Sequence, residues 1–147
     1  NIAAFNKVAN ALDKIKFDKI NLTWGDISAA YPQNIIDLDL MGRWDTQAEL
    51  VSKMFNKQKL LSGKKHFMFN LSARGIANSN MANYISKILT ELTEINIQVT
   101  SQRNVYFTHN NKKLYVIKYF APNNNIKIHI YRYFDTSPMI NILLSYE

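Results

Sequence analysis

A chain of 147 residues with a formal charge of +7, 47% hydrophobic and 20% charged residues can bury a core as one folded domain, which excludes a disordered tract. It contains no cysteine, which excludes a disulfide framework and thiolate chemistry. No run approaches the roughly 18 apolar residues that span a bilayer, and the basic surplus favours phosphate-rich partners without bearing on the fold.

Residues 2 to 20 read as an amphipathic helix: Ile2, Phe5, Val8, Leu12 and Ile15 recur three and four apart, with Asn6, Lys7, Asn10, Asp13 and Lys14 on the other faces. The chain opens on Asn1 rather than methionine and the stripe begins at once, as in a longer helix cut short upstream. The segment "NLTWGDISAAYP" gives a strand-like start, a Gly-Asp cap signal and a short helical turn stopped before Pro32. Residues 33 to 44 alternate weakly. A second helix is expected from "DTQAEL", where Thr46 and Glu49 stand at capping-box spacing and Leu50, Val51, Met54 and Phe55 supply a buried face up to "SGKK".

"HFMFNLS" alternates Phe67, Phe69 and Leu71 with His66, Met68 and Asn70, the period of a strand. After "ARGIANSN" a third helix starts at Ser79 or Asn80 and turns Met81, Tyr84, Ile85, Ile88, Leu89 and Leu92 inward. Everything beyond Asn96 reads as strand: "INIQVTS", "NVYFTH", "KLYVIKYF", "IKIHIYRYF" and "MINILLSY", with turns at "HNNKK" and "APNNN". Strands joined by such short loops pair antiparallel. The expected architecture is a single α+β domain over 1–147, with N-terminal amphipathic helices packed on one face of a four- to five-stranded antiparallel sheet.

Within "IKIHIYRYF", Ile126, Ile128 and Ile130 share one parity and belong against the helices. Lys127, His129, Tyr131 and Tyr133 share the other, joined across the hairpin by "LYVIKYF". Lys118, Lys127, His129, Tyr131, Arg132 and Tyr133 thus form a candidate basic-aromatic surface. It fits a solvated strand face and, alternatively, a platform for stacking the bases of single-stranded nucleic acid.

Chemistry is sparse. His66, His109 and His129 form no ligand pair, so neither a metal nor another cofactor is expected. Two histidines converging with Lys118 or Arg132 would make a metal-independent ribonuclease site, an arrangement their spacing does not support. Asp37, Asp39 and Asp45 lack a partner at a nuclease spacing and read as solvated charges. "SGKK" follows a helix and lacks the preceding glycine of a phosphate loop. Trp24 and Trp44 read as packing anchors, and Arg43 and Arg74 stand out as unassigned charges. No catalytic residue is expected.

The order of an amphipathic first helix, a loop with "YP", a "GRW" segment and "FMFNLSARGIANSNMANYISKILTEL" resembles the soluble domain of type IVb pilins and related minor pilins. The likeness covers roughly the first two-thirds. It departs from the family's cysteines, Met81 standing near the first position, and its C-terminal strands are more extensive. The resemblance implies a non-catalytic subunit of a surface filament or secretion-related complex, outside the cytoplasm. Ile2, Phe5, Val8 and Leu12 would then pack against other protein subunits. The competing expectation is a basic effector or toxin domain that binds or cleaves nucleic acid.

Overall fold

The computed structural model describes residues 2–13 and 31–147. The chain divides into two compact units, Asn1–Tyr31 and Pro32–Glu147. In the first, helix α1 spans Ile2–Asp13, and Ile2 is exposed. The second half of the expected helix over 2–20, Trp24, and the side chains of Phe5, Val8 and Leu12 lie outside the described residues.

In the second unit the elements run β1 (Ile35–Leu38), α2 (Trp44–Lys59), β2 (Lys65–Ser72), α3 (Asn78–Thr93), β3 (Ser101–His109), β4 (Lys112–Phe120), β5 (Lys127–Asp135) and β6 (Ser137–Tyr146). All six strands join one sheet in the order β1-β2-β6-β5-β4-β3. Strand β1 lies parallel to β2, connected through α2, while every other pair is antiparallel. The expectation of N-terminal helices on a four- to five-stranded antiparallel sheet is therefore overturned. The sheet is six-stranded and mixed, and the helices that share its core lie between its early strands rather than ahead of them. The reason is "NIIDL": only Ile36 and Leu38 of β1 are buried, and a parallel neighbour reached through a whole helix leaves no local turn signal.

One interior serves both helices and one sheet face. Val51, Met54 and Phe55 of α2 and Met81, Ile85, Ile88, Leu89 and Leu92 of α3 meet Phe67, Phe69 and Leu71 of β2. Across the register, Leu144, Ile142 and Ile140 of β6 stand opposite those three β2 residues, and Ile130 of β5 stands opposite Ile142. Ile126 and Ile130 are buried and Ile128 half-buried, on the side the alternation assigns them. Trp44 is buried, its indole N–H donating to the Glu91 carboxylate and its backbone amide donating to the Tyr84 hydroxyl.

Two local expectations fail for identifiable reasons. The capping box at Thr46 and Glu49 does not form, because α2 begins earlier, with Arg43 at its N-cap; the Thr46 hydroxyl donates back to the Arg43 carbonyl at 3.0 Å. "INIQVTS" is irregular up to Thr100 rather than a strand. Its amides are satisfied by side chains of α3: Ile97 N–H donates to the Thr90 hydroxyl (3.2 Å) and Val99 N–H to the Ser86 hydroxyl (3.0 Å). Buried backbone groups need partners of any kind, and here helix hydroxyls replace a neighbouring strand.

Candidate functional site

Side chains alternate across a sheet, so the face opposite α2 and α3 can be read from the register. From β5 it carries Lys127, His129, Tyr131 and Tyr133; from β4, Leu114, Val116, Lys118 and Phe120; from β3, Arg103, Val105 and Phe107. Strands β6 and β2 add Asn141, Leu143 and Ser145 beside Asn70, Met68 and His66.

One row crosses this face from edge to edge. Asn70 donates to the Asp39 carboxylate (3.2 Å) and Asn141 donates to the Asn70 amide oxygen (2.6 Å). Asn141 stands opposite Tyr131, Tyr131 opposite Lys118, and Lys118 opposite Arg103. The Lys118 ammonium sits 5.3 Å from the Phe120 ring and 5.7 Å from that of Tyr131, and the Arg103 guanidinium lies 5.2 Å from Phe120. Cations placed over aromatic faces are held by the ring quadrupoles. Asp37 and Asp39 lie at the β1 margin and Arg103, Lys112 and Lys118 at the other, so charge is graded across the face.

Lys118, Lys127, His129, Tyr131 and Tyr133 thus share one face. Arg132, placed with them from the sequence, does not. Its parity turns it to the helix side, where it donates to the Asn78 side-chain oxygen of α3 beside Tyr119. Sequence reasoning missed Arg103, Phe107 and Phe120, whose place depends on cross-strand register.

His129 is partly buried between Lys118 and Lys127, and its pKa falls below 6.5, first through desolvation and then through those two cations. A depressed imidazole favours the neutral form in the folded state. Its contribution to stability is intact above 6.5 and is lost as pH falls below that value, where the unfolded chain takes up the proton first. An NMR titration of the His129 ring should give a midpoint below 6.5, and Lys118→Gln should move it upward by removing one of the two cations. A midpoint unmoved by that substitution would contradict the placement of Lys118.

The hairpin of β3 and β4 is the more unusual feature. Its strands pair from Ser101↔Phe120 to His109↔Lys112, but β4 pairs with β5 only over Ile117–Tyr119. Among the described residues the distal half is therefore a two-stranded arm with no third strand hydrogen-bonded to it, the Phe107 ring meeting Tyr131 of β5 edge to face at 6.4 Å. Asn110 and Asn111 both have positive φ, 50° and 60°, the conformation of a type I′ turn, which asparagine tolerates. Tyr106 and Tyr115 pack edge to face on one side, centroids 4.8 Å apart, with Lys113 over Tyr106. Phe107 and Leu114 lie on the other. These four large side chains are 59%, 50%, 47% and 49% exposed in that order.

The remaining candidates stay apart. His66 shares a 2.8 Å hydrogen bond between Nδ1 and the Ser145 hydroxyl beside a cleft of 410 Å³ at the ends of β2, β5 and β6. Its register neighbour on β1 is Ile35, and Glu147 borders the same cleft. His129 is two strands and one row away, and His109 closes the hairpin. Arg43 pairs with Asp45 at 3.8 Å, and both arginines, Arg43 and Arg74, border a hollow at the start of α2. Among the described residues no group of three His, Cys, Asp or Glu side chains is placed to hold a metal, and no helix is long and apolar enough to cross a membrane. No protein-family model matches the chain, and no curated protein or solved structure matches it significantly.

Proposed function

We propose that this chain is a non-catalytic assembly subunit whose protruding β3–β4 hairpin docks against protein. The observation that carries this reading is the exposure of Tyr106, Phe107, Leu114 and Tyr115 on both sides of one arm. An isolated two-stranded hairpin is at best marginally stable in water, and contiguous exposed apolar surface marks a site that another surface covers. Strand β3 adds nine residues of sheet edge whose one fixed charge is Arg103, a template for further strand pairing. The stripe of Ile2, Phe5, Val8 and Leu12 on α1 is the second proposed contact. The setting in a surface filament or secretion-related complex, outside the cytoplasm, rests on the order of features shared with type IVb pilins.

A second reading has its own support: Lys118 and Arg103 lie over Phe120 and Tyr131, the pairing of cation and stacking ring that single-stranded nucleic acid uses.

Photo-cross-linking separates the two. With benzoylphenylalanine at position 107 in cells producing the protein, the assembly reading expects discrete protein adducts, also formed from position 115 and absent from position 60, where an exposed leucine ends α2. Adducts to nucleic acid, with binding of the purified protein to a single strand that weakens steeply as salt rises, would replace the assembly reading with the second. Absence of any adduct at 107 and 115 would remove the assembly reading.

A further inference from the structure

We infer that the arm's partner is a second copy of this chain, bound by antiparallel pairing of β3 with β3 across a twofold axis at Val105. This rests on the assembly reading and names its partner. The two edges of the sheet differ in how they are guarded. Strand β1 is four residues long and its margin carries Asp37 and Asp39. Strand β3 is nine residues long, has no proline or bulge within its register, and its exposed apolar side chains lie at the free edge.

The turn decides which backbone groups are free. In a type I′ turn the carbonyl of the first residue accepts from the amide of the fourth, so His109 and Lys112 make a hydrogen-bonded pair. Bonded and non-bonded pairs alternate along an antiparallel ladder. Ser101, Arg103, Val105, Phe107 and His109 therefore spend their amides and carbonyls on β4, and Gln102, Asn104, Tyr106 and Thr108 turn theirs to the edge.

A twofold axis at Val105 sets Gln102 opposite Thr108 and Asn104 opposite Tyr106 of the second copy, which engages every outward residue. Shifting the axis by one residue in either direction leaves part of this set unpaired. The side chains agree with the same register. Arg103 falls opposite Phe107 of the second copy, a cation beside a ring, and Ser101 opposite His109; no two like charges meet. Paired residues share a face, so the two helix-free faces become one continuous surface. Lys118, Phe120 and Tyr131 gather towards its middle and the aspartates stand at its outer margins.

The chain has no cysteine, so introduced thiols report cleanly. Val105→Cys should oxidise to a covalent dimer, since the two positions face each other in a non-hydrogen-bonded pair. Asn104→Cys should dimerise without forming the covalent link, because its twin lies on the diagonal at about 7–8 Å, beyond disulfide reach. Asn104→Pro removes an outward amide that β4 does not use, so the variant should keep the circular dichroism and melting behaviour of the parent yet sediment as a monomer. The parent should sediment as a dimer at submillimolar concentration. A parent that stays monomeric, equal cross-linking from positions 104 and 105, or an undisturbed dimer in folded Asn104→Pro would each overturn the proposal. If protein adducts still form at position 107 in any of these cases, the assembly reading survives with a different partner.

Discussion

Phe69→Ala is expected to destabilise the residue 32–147 unit by about 3–5 kcal/mol, the usual cost of emptying a phenyl-sized site in a core that relaxes only partly. Phe69 has no solvent exposure, and its ring lies 5.7 Å from Phe67 and 6.4 Å from Trp44. It is held between strands, with Leu38 of β1 and Ile142 of β6 as register partners. Residues on both sides are tied by the ladder, so they cannot close the void. For a unit of this size the melting temperature should fall on the order of 15 °C. Thermal and urea unfolding monitored by circular dichroism would measure it, with Leu60→Ala as a surface control at 87% exposure and an expected change within about 0.5 kcal/mol. A loss below about 1 kcal/mol for Phe69→Ala would mean that the core is not packed as described.

Gln58→Leu should cost nearly as much, by a different physical route. Gln58 is fully buried on α2, and its amide nitrogen donates to the carbonyls of Gln33 (2.9 Å), Asn34 (3.2 Å) and His66 (3.0 Å). Its oxygen accepts from the Tyr146 hydroxyl at 2.9 Å. One side chain thus ties α2 to the entry of β1, to β2 and to the end of β6. A leucine fills the volume but strands several of these groups, an expected loss of about 2–4 kcal/mol. Tyr146→Phe removes a single partner and should cost about 1 kcal/mol. Burial also raises the Tyr146 phenol to about 12, so the neutral form is favoured in the fold. Stability from this group is complete below its ordinary value of 10.0 and is lost as pH rises through about 12; Tyr146→Phe should flatten that alkaline decline. Equal stability of Gln58→Leu and the parent would show that the network does not hold β1 in place.

Much of this architecture is legible in the residues, and its losses have physical causes. The alternation of "HFMFNLS" and the stripe from Met81 to Leu92 give β2 and α3 because each is a local period set against one buried surface. The strands from β3 to β6 announce themselves by polar turns. Strand β1 does not, since Ile35 is exposed and only Ile36 and Leu38 point inward. "INIQVTS" alternates like a strand, yet its amides find Thr90 and Ser86 on the preceding helix. The parity of β5 correctly groups Lys127, His129, Tyr131 and Tyr133; the same parity would have placed Arg132 on the helix side had its even position been weighed above its charge. The row from Asp39, just past the end of β1, to Arg103 joins residues of the other five strands, and no local pattern carries such a register.

The graded charge along that row has a kinetic side. A sheet negative at one rim and positive at the other exerts a torque on any polar body drifting towards it, turning it before contact. Productive encounters are then enriched over inverted ones, a selectivity that fades as ionic strength shortens the reach of the field.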